Sequence, residues 1–307
     1  MRWSLRNHRA FARCFRFALI SVAVLLLAGL VVTPPALAES SASDWVSSGN
    51  EKHKKGDLDG AMADYNRAIE IDPKCAEAYI NRGNAKSEKG NPDDAIVDLS
   101  RAIEINPKFA EAYNNRGVAK GKKGDLDGEI ADYSRAIEID PNYAVAYSNR
   151  GNVFQAKGQF DRAVADFNKE VELNTKDEYA CLRLMIATWL AKGDTGGATA
   201  TLRKHIDANS SDDWVRTISK YYVGIDNLNE QAVLAEARKG KDGKEVKERL
   251  CEAYYYLGAK RLVAGNRKGA AEYFTLSIET NVKSFQEYNA SKAMLALMKE
   301  GKIASAE

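Results

Sequence analysis

The side chains best suited to recognition in this sequence belong to a triplet, Asn-Arg-Gly, that occurs three times at one constant spacing. A side-chain amide donates and accepts hydrogen bonds, and a guanidinium group can form two parallel hydrogen bonds with a carboxylate. A row of such amides could hold the backbone of an extended peptide. The three copies are Asn81–Gly83, Asn115–Gly117 and Asn149–Gly151.

Motifs that carry out covalent chemistry are absent from the sequence. It contains no GxxxxGK[ST] phosphate loop, no GxSxG, no HExxH and no CxxC. Two histidines follow residue 38, His53 and His205, and neither has a cysteine or a second histidine near enough in sequence to suggest a metal site. The sequence therefore predicts a protein that is not an enzyme and that uses neither a cofactor nor a metal.

The segment 1–38 has the pattern of a secretory leader. Five arginines precede an apolar run, Phe17–Val32, which is followed by Pro34, Pro35 and small residues ending at Ala38. A basic region, an apolar region and small residues at the −3 and −1 positions are typical of a signal peptide, and the run is shorter than the about 20 apolar residues that a membrane-spanning helix needs. We expect cleavage after Ala38. Retention of the leader as a membrane anchor is the alternative.

The leader also predicts the location of the protein. Its only cysteine, Cys14, lies before the apolar run, whereas a lipoprotein needs a cysteine just after it, so we expect no lipidation. The twin prolines followed by "ALA" are typical of a bacterial periplasmic protein. After cleavage no segment that could span a membrane is expected to remain.

The charge balance argues against nucleic acid as a partner. Removing the five leader arginines leaves 40 basic and 43 acidic residues, a net charge of −3. A nearly neutral surface gives no electrostatic reason to expect binding to phosphate backbones.

An internal repeat, with the same spacing as the triplet, organises the chain after the leader. A series of glycines is expected to end the first helix of each unit in a left-handed conformation, the next residue opens a second helix, and a proline ends it. Each helix–turn–helix unit must stack on its neighbours to bury its apolar face. The series are Gly56, Gly90, Gly124 and Gly158; Asp57, Asn91 and Asp125; and Pro73, Pro107 and Pro141.

This pattern resembles the tetratricopeptide repeat, with repeats that begin at Ala42, Ala76, Ala110 and Ala144. The resemblance implies an all-α superhelical solenoid of helix–turn–helix units, here with a helical insert and a C-terminal closing helix. Position 20 of the unit is alanine in three repeats and Glu129 in the third, which departs from the family pattern. The fourth repeat departs at positions 27 and 32, which hold Glu170 and Thr175.

The sequence divides into six segments on this basis. They are a signal peptide (1–38), four regular repeats (42–178), a fifth divergent repeat (179–212), a helical insert (213–250), a sixth repeat (251–284) and a closing helix (285–300).

Three cysteines, Cys75, Cys181 and Cys251, fall in different repeats. Free cysteine packs well as a small buried hydrophobe, and this is the interpretation that we favour for all three. A disulfide between Cys181 and Cys251 is the one pairing that the sequence leaves open.

The resemblance implies that positions 2, 5, 6, 9 and 12 of each repeat face a concave groove. Asparagine dominates positions 6 and 9, where one helix turn brings the side chains onto a shared face. Asparagine is also the usual residue of regular repeats of this family, so the row predicts a groove without naming its ligand. The predicted peptide-binding residues are Asn50, Asn81, Asn84, Asn115, Asn149 and Asn152, and Val118 interrupts the row.

Arg82, Arg116 and Arg150 occupy position 7, where the family more often has leucine. One interpretation is that each arginine extends along the helix pair and keeps its guanidinium group in water. The other is that it offers a partner for a carboxylate, as a secondary part of the binding site.

The second half of the chain, about residues 178 to 298, looks like the C-terminal half of the bacterial new-lipoprotein-I family. The similar segments include "SSDDWVRTISKYYVG" and "RLCEAYYYLGAKRLVAGNRKGAAEYF". Members of that family are envelope adaptors that hold a carboxyl-terminal processing protease and peptidoglycan hydrolases. This sequence departs from them in having no lipobox cysteine.

Two functions follow as expectations. The first is a non-catalytic periplasmic adaptor that binds proteins or extended peptides in its concave groove, with a role in regulating peptidoglycan enzymes. The second is a structural subunit of an envelope or secretion assembly, held through its convex face and closing helix.

Overall fold

The computed structural model describes residues 40–193, 196–208 and 214–303. Within these ranges the chain forms fifteen α-helices and no β-strand. The predicted leader, residues 1–38, lies outside the described residues. The helices are α1 (Ala42–Lys54), α2 (Leu58–Ile71), α3 (Ala76–Glu88), α4 (Pro92–Ile105), α5 (Ala110–Lys122), α6 (Leu126–Ile139), α7 (Ala144–Ala156), α8 (Phe160–Leu173), α9 (Glu178–Lys192), α10 (Gly196–Ala208), α11 (Trp214–Val223), α12 (Glu230–Ala237), α13 (Gly243–Val263), α14 (Arg267–Glu279) and α15 (Gln286–Lys299).

The first eight helices form four consecutive hairpins. Helix α1 packs on α2, α3 on α4, α5 on α6 and α7 on α8, and each second helix also packs on the first helix of the next pair. Stacking of this kind builds a solenoid whose first helices line the concave side. The predicted fold class, an all-α solenoid of helix–turn–helix units, is confirmed.

The helix ends follow the turn chemistry of the sequence. The four glycines that end the first helices have φ between +72° and +84°, a backbone region that residues with a Cβ rarely adopt. Asp57 and Asp125 then accept hydrogen bonds from the backbone N–H of Gly60 and Gly128, at 2.9 and 3.0 Å. Asn91 makes no such cap, and Pro92 opens α4 with its preset φ instead.

A second glycine in each hairpin allows the two helices to approach closely. A Cβ on Gly117 would lie 2.7 Å from Cε1 of Tyr133, and one on Gly151 would lie 2.6 Å from Cε1 of Phe167. Two non-bonded carbon atoms cannot approach this closely, so only glycine fits at position 8. The large residue at position 24 fills the space that glycine leaves.

The first repeat ends the solenoid with a polar face. Ala78, Ala112 and Ala146 are fully buried where the first helix of each later repeat meets the preceding repeat. The equivalent residue of the first repeat is Asp44, which is exposed and completes a capping box with Ser41. A terminal repeat needs such a polar outer surface for solubility.

The second half of the chain has a large apolar core. Helix α13 begins at Gly243, two turns before the predicted start of the sixth repeat at Cys251, because Asp242 caps it by accepting from the N–H groups of Lys244 and Glu245. Helix α15, the closing helix, packs on α13 and α14 and also reaches back to α7. The core residues include Leu182, Leu184, Ile186, Leu202, Ile218, Tyr255, Tyr256, Phe274, Met294 and Leu297.

The three cysteines in the described part of the chain, which excludes residue 14, are unpaired. Cys181 and Cys251 are buried and Cys75 is half-buried, so the disulfide that the sequence left open is not formed. Burial raises the pKa of the Cys181 thiol to about 11, which keeps it protonated. In the part of the chain that the structure describes, no helix combines the length and the apolar character needed to cross a membrane.

Candidate partner-binding groove

The asparagines at positions 6 and 9 of the first three repeats lie on neighbouring helices α1, α3 and α5. All are half-buried, so that each residue is partly exposed to solvent. We call this surface the open face and define it by Asn50, Asn81, Asn84 and Asn115.

Hydrogen bonds between repeats already orient part of this row. Asn81 donates from Nδ2 to Oδ1 of Asn50 at 2.9 Å, and the hydroxyl of Tyr65 donates to the same oxygen at 2.8 Å. In the residues that the structure describes, the Asn84 side chain makes no hydrogen bond, so its donors and acceptor remain available. The open face is therefore a pre-oriented amide surface with free hydrogen-bonding capacity.

A further asparagine, Asn114, joins the third and fourth repeats and was not predicted as a site residue. It is buried at position 5, where it accepts from Nδ2 of Asn149 at 3.0 Å and donates to Oδ1 of Asn115 at 3.1 Å. The Asn114-Asn115 doublet is the signal that could have identified it, because the other repeats have Val46, Ile80 and Ser148 at position 5.

The concave side of the fourth repeat is occupied by the chain itself. Asn152 donates to Oε1 of Gln286 on α15 at 3.2 Å, and Gln155 donates from Nε2 to the hydroxyl of Tyr255 on α13 at 3.1 Å. We call the concave surfaces of α7, α9 and α13 the filled face. The groove that the sequence predicted along six asparagines is thus open at the first three repeats, and at Asn152 it holds the closing helix.

The three arginines at position 7 are not held in water, in contrast to the first interpretation of the sequence. Arg116 forms a bidentate pair with Asp132, at 2.9 Å from Nε and 2.7 Å from Nη2, and its Nη1 donates to Oγ of Ser100 at 3.1 Å. Arg82 and Arg150 make the equivalent contacts with Asp98 and Asp166. A buried carboxylate on the second helix of the same repeat attracts each guanidinium more strongly than solvent does.

These pairs connect neighbouring repeats. Ser100 belongs to the preceding repeat, so Arg116 joins three helices, α4, α5 and α6. The hydrogen bonds with Asp132 raise the pKa of the guanidinium group. Lys120 also lies 2.8 Å from Asp132, which leaves the carboxylate with two cations. The arginine of the triplet is therefore a structural residue.

The departure of the third repeat at position 20 has a local cause. Glu129 accepts a hydrogen bond from the hydroxyl of Tyr133 at 2.9 Å. In the first repeat the equivalent hydroxyl, on Tyr65, donates a hydrogen bond to Oδ1 of Asn50 at position 9. Position 9 of the third repeat is Val118, whose side chain cannot accept a hydrogen bond. Burial raises the pKa of Glu129 to about 7.

The filled face contains ionisable groups of its own. Glu252 accepts hydrogen bonds from the hydroxyl of Tyr179 at 2.9 Å and from Nε1 of Trp214 at 2.7 Å, and burial raises its pKa to about 7. Burial also raises the pKa of Glu287 on α15. Over the described ranges, no three His, Cys, Asp or Glu side chains are grouped closely enough to hold a metal ion.

Models of the tetratricopeptide repeat match the first four hairpins. The TPR repeat model matches residues 49–90, 83–124 and 122–158, and a second tetratricopeptide repeat model matches residues 144–177. Residues 49–177 are tetratricopeptide repeats.

The chain is also similar to solved structures, one of which covers most of its length. PilF of Pseudomonas aeruginosa is 16% identical, with a TM-score of 0.51 over 82% of this chain and 97% of that one. MamA protein is 24% identical, with a TM-score of 0.47 over 61% of this chain and 98% of its own. The first TPR of Spaghetti (RPAP3), solved with the HSP90 peptide SRMEEVD, is 27% identical, with a TM-score of 0.37 over 38% of this chain and 93% of that one.

Proposed function

We propose that this tetratricopeptide protein is a non-catalytic adaptor that binds an extended segment of a partner protein on its open face. The observation that carries the proposal is the contrast within one solenoid: the fourth repeat holds a segment of the chain on its concave side, and the first three repeats present the same side to solvent. An extended peptide has unpaired backbone N–H and C=O groups that need partners. The amides of Asn81 and Asn84 supply both kinds of partner.

We further propose that the adaptor works in the bacterial cell envelope, where it would regulate peptidoglycan enzymes. Two features of the sequence support this location. Residues 1–38 have the pattern of a secretory leader, and the segment from 178 to 298 resembles that of envelope adaptors.

The alternative function is a structural subunit that is held by its closing helix. The apolar side of α15 argues against it, because Met294 and Leu297 are buried against the rest of the chain. An assembly contact would have to use the outer surface of the solenoid instead.

Site-specific photocrosslinking in the producing cell tests the two functions. The probe residue replaces Asn84 on the open face in one variant and Val97 on α4 in a control variant, since Val97 is 66% exposed and belongs to the second helix of its repeat. We expect a crosslinked partner from position 84 and none from position 97. Crosslinks from position 97 alone would support the structural subunit and overturn the groove.

Fractionation of the same cells tests the location. We expect the protein in the periplasmic fraction, with an N-terminus at Glu39. Recovery in the cytoplasm with the leader intact would overturn the envelope proposal and leave the binding proposal in place.

A further inference from the structure

Buried carboxylates of the first four repeats each have a cation. The Asp64, Asp98, Asp132 and Asp166 side chains are at most 6% exposed, and each lies within 2.7 Å of a lysine or arginine nitrogen. Burying a charge is costly unless it is paired, so this pairing is the expected rule.

Glu129 is the exception on the open side of the solenoid. No lysine or arginine nitrogen lies within 4.0 Å of its carboxylate in the described part of the chain, and the hydroxyl of Tyr133 is its hydrogen-bond donor. The neighbouring lysine, Lys120, is directed to Asp132 instead. Glu252 and Glu287 also lack a paired cation among these residues, but both are enclosed in the filled face.

The carboxylate of Glu129 occupies the place of a groove-facing side chain. A Cβ on Gly121 would lie 2.6 Å from Cδ and from both oxygens of Glu129, so the carboxylate fills the space that this glycine leaves on α5. The residue equivalent to Gly121 in the fourth repeat is Gln155, which holds Tyr255 on the concave side. The carboxylate of Glu129 therefore lies at the position where, in the fourth repeat, Gln155 contacts Tyr255 of α13.

Three departures of the third repeat form one notch. At Val118 the row lacks an amide, and at Gly121 the helix α5 lacks a side chain. The carboxylate of Glu129, which belongs to α6, lies beside Gly121 in its place. We name this the Glu129 notch. The first two repeats have Asn50 and Asn84 in place of the valine, and His53 and Ser87 in place of the glycine.

The lysines next to the notch are directed to other groups, which leaves the carboxylate of Glu129 without a cation. Lys120 and Lys123, the lysines beside Gly121 on α5 and at its end, are each paired with another carboxylate. The ammonium group of Lys122 is turned toward the second repeat, where it donates to the carbonyl oxygen of Ser87 at 2.8 Å and to its Oγ at 2.9 Å. An acidic site attracts basic groups and repels acidic ones.

We propose that the partner segment on the open face places a basic side chain, lysine or arginine, in the Glu129 notch, where it supplies the cation that this carboxylate lacks. The inference rests on the proposed function and specifies the chemistry of the partner at one position. A lysine or arginine enters with its apolar stem against Val118 and its charged end at Glu129.

Selection from a displayed library of random peptides provides the probe. Peptides of about twelve residues are long enough to cross three neighbouring helices roughly 10 Å apart. Selection on the purified protein should enrich peptides with lysine or arginine at one fixed position. The affinity of one enriched peptide is then compared with that of the same peptide carrying methionine at this position.

Glu129→Gln removes the charge and keeps an oxygen for the Tyr133 hydroxyl. We expect it to weaken the basic peptide about 10- to 100-fold and to leave the methionine peptide unchanged, because the loss of a partly buried charge partner has this size. Glu138→Gln is the matched control on the same helix, where the carboxylate is exposed and paired with Arg135. Gly121→Ala, whose Cβ would displace the carboxylate of Glu129, should reproduce the loss, and thermal melting checks that each variant is folded.

The proposal of a basic side chain at Glu129 would be wrong if the enriched peptides had no fixed basic residue, or if they bound the native protein and Glu129→Gln with equal affinity. Either result would leave the proposal of peptide binding on the open face in place. Failure to enrich any peptide would overturn the groove and the notch together. Loss of binding in Gly121→Ala alone would assign the effect to the shape of α5 and would also overturn the role of the Glu129 charge.

Discussion

The open face and the filled face are built on the same kind of helix hairpin, but they place opposite kinds of side chain on the concave side. On α3 and α5 that side holds Asn81, Asn84 and Asn115. On α13 positions 6 and 9 hold Tyr256 and Ala259, with Tyr255 at position 5, and all three are buried in the core. The amide surface remains in solvent, and the aromatic and aliphatic surface is covered by α15.

The contrast separates the residues that build the solenoid from those that determine its use. Glycine at position 8 meets a large residue at position 24 in both halves: Gly117 meets Tyr133, and Gly258 meets Phe274. Positions 5, 6 and 9 differ between the halves, and they decide whether the concave side becomes a binding surface or a core. The predictions below test that division from the largest effect to the smallest.

The largest effect should come from the filled face. Leu297→Ala on α15 removes a 3% exposed side chain from the core, and we expect a loss of about 2–5 kcal/mol in the free energy of unfolding. Lys292→Ala, on the exposed side of the same helix, should change it by less than about 0.5 kcal/mol. Urea denaturation measures both. Equal midpoints would mean that α15 does not contribute to the core.

The next effect should come from the ion pairs behind the open face. Asp132→Asn leaves Arg116 and Lys120 without their carboxylate, and we expect a loss of about 2–3 kcal/mol. Asp166→Asn should cost less, because the fourth repeat has Phe154 in place of the lysine and only one cation is left unpaired. A reversed order in urea denaturation would contradict the role assigned to the lysine.

Glu129→Gln should increase stability in a pH-dependent way. The folded pKa of Glu129, about 7, lies above its ordinary value of 4.5, so the native protein loses stability as the pH rises from about 4.5 to about 7. The variant lacks this loss, and we expect it to be roughly 1–3 kcal/mol more stable at pH 8 and equal in stability at pH 4. Unfolding of both proteins across this range measures the difference. A constant difference at every pH would contradict the buried, unpaired carboxylate.

The smallest effect should come from the asparagines of the open face. Asn81→Ala removes the hydrogen bond to Asn50 and should cost about 0.5–1 kcal/mol, measured as a fall in Tm of a few degrees. Asn84→Ala removes no hydrogen bond within the described residues and should leave Tm unchanged. Both variants should weaken the enriched peptides. A fall of several kcal/mol in the free energy of unfolding of either variant would mean that these asparagines stabilise the fold, and the distinction between the two faces would be lost.

The local structure of the repeats is readable from the sequence, because it depends on neighbouring residues. The glycine at position 15, the aspartate that follows it and the proline at position 32 determine where helices end. The small residue at position 8 predicts the close approach of the two helices. These features identify the solenoid and its concave side.

The limits of the groove are not readable in this way. Asn152 and Gln286 lie far apart in the chain, and no local pattern links them. The pairing of Arg116 with Asp132 was missed for a related reason. Arginine at position 7 departs from the family pattern, and its partner lies on another helix, among several carboxylates that the sequence could not rank. The notch required three departures of one repeat to be interpreted together.

Two contacts between neighbouring repeats recur at the same positions of the unit, one between positions 7 and 25 and one between positions 14 and 18. Arg116 reaches Ser100 and Arg150 reaches Ser134, while Lys157 lies 2.7 Å from Asp127 and Lys123 pairs with Asp93 in the same way. An in-frame duplication of one whole repeat would therefore carry both of these contacts at each of its junctions. Recombination between repeats could lengthen the open face by whole units while the polar first repeat and the closing helix stay as they are. The length of the open face is thus a trait that evolution can change in a single step.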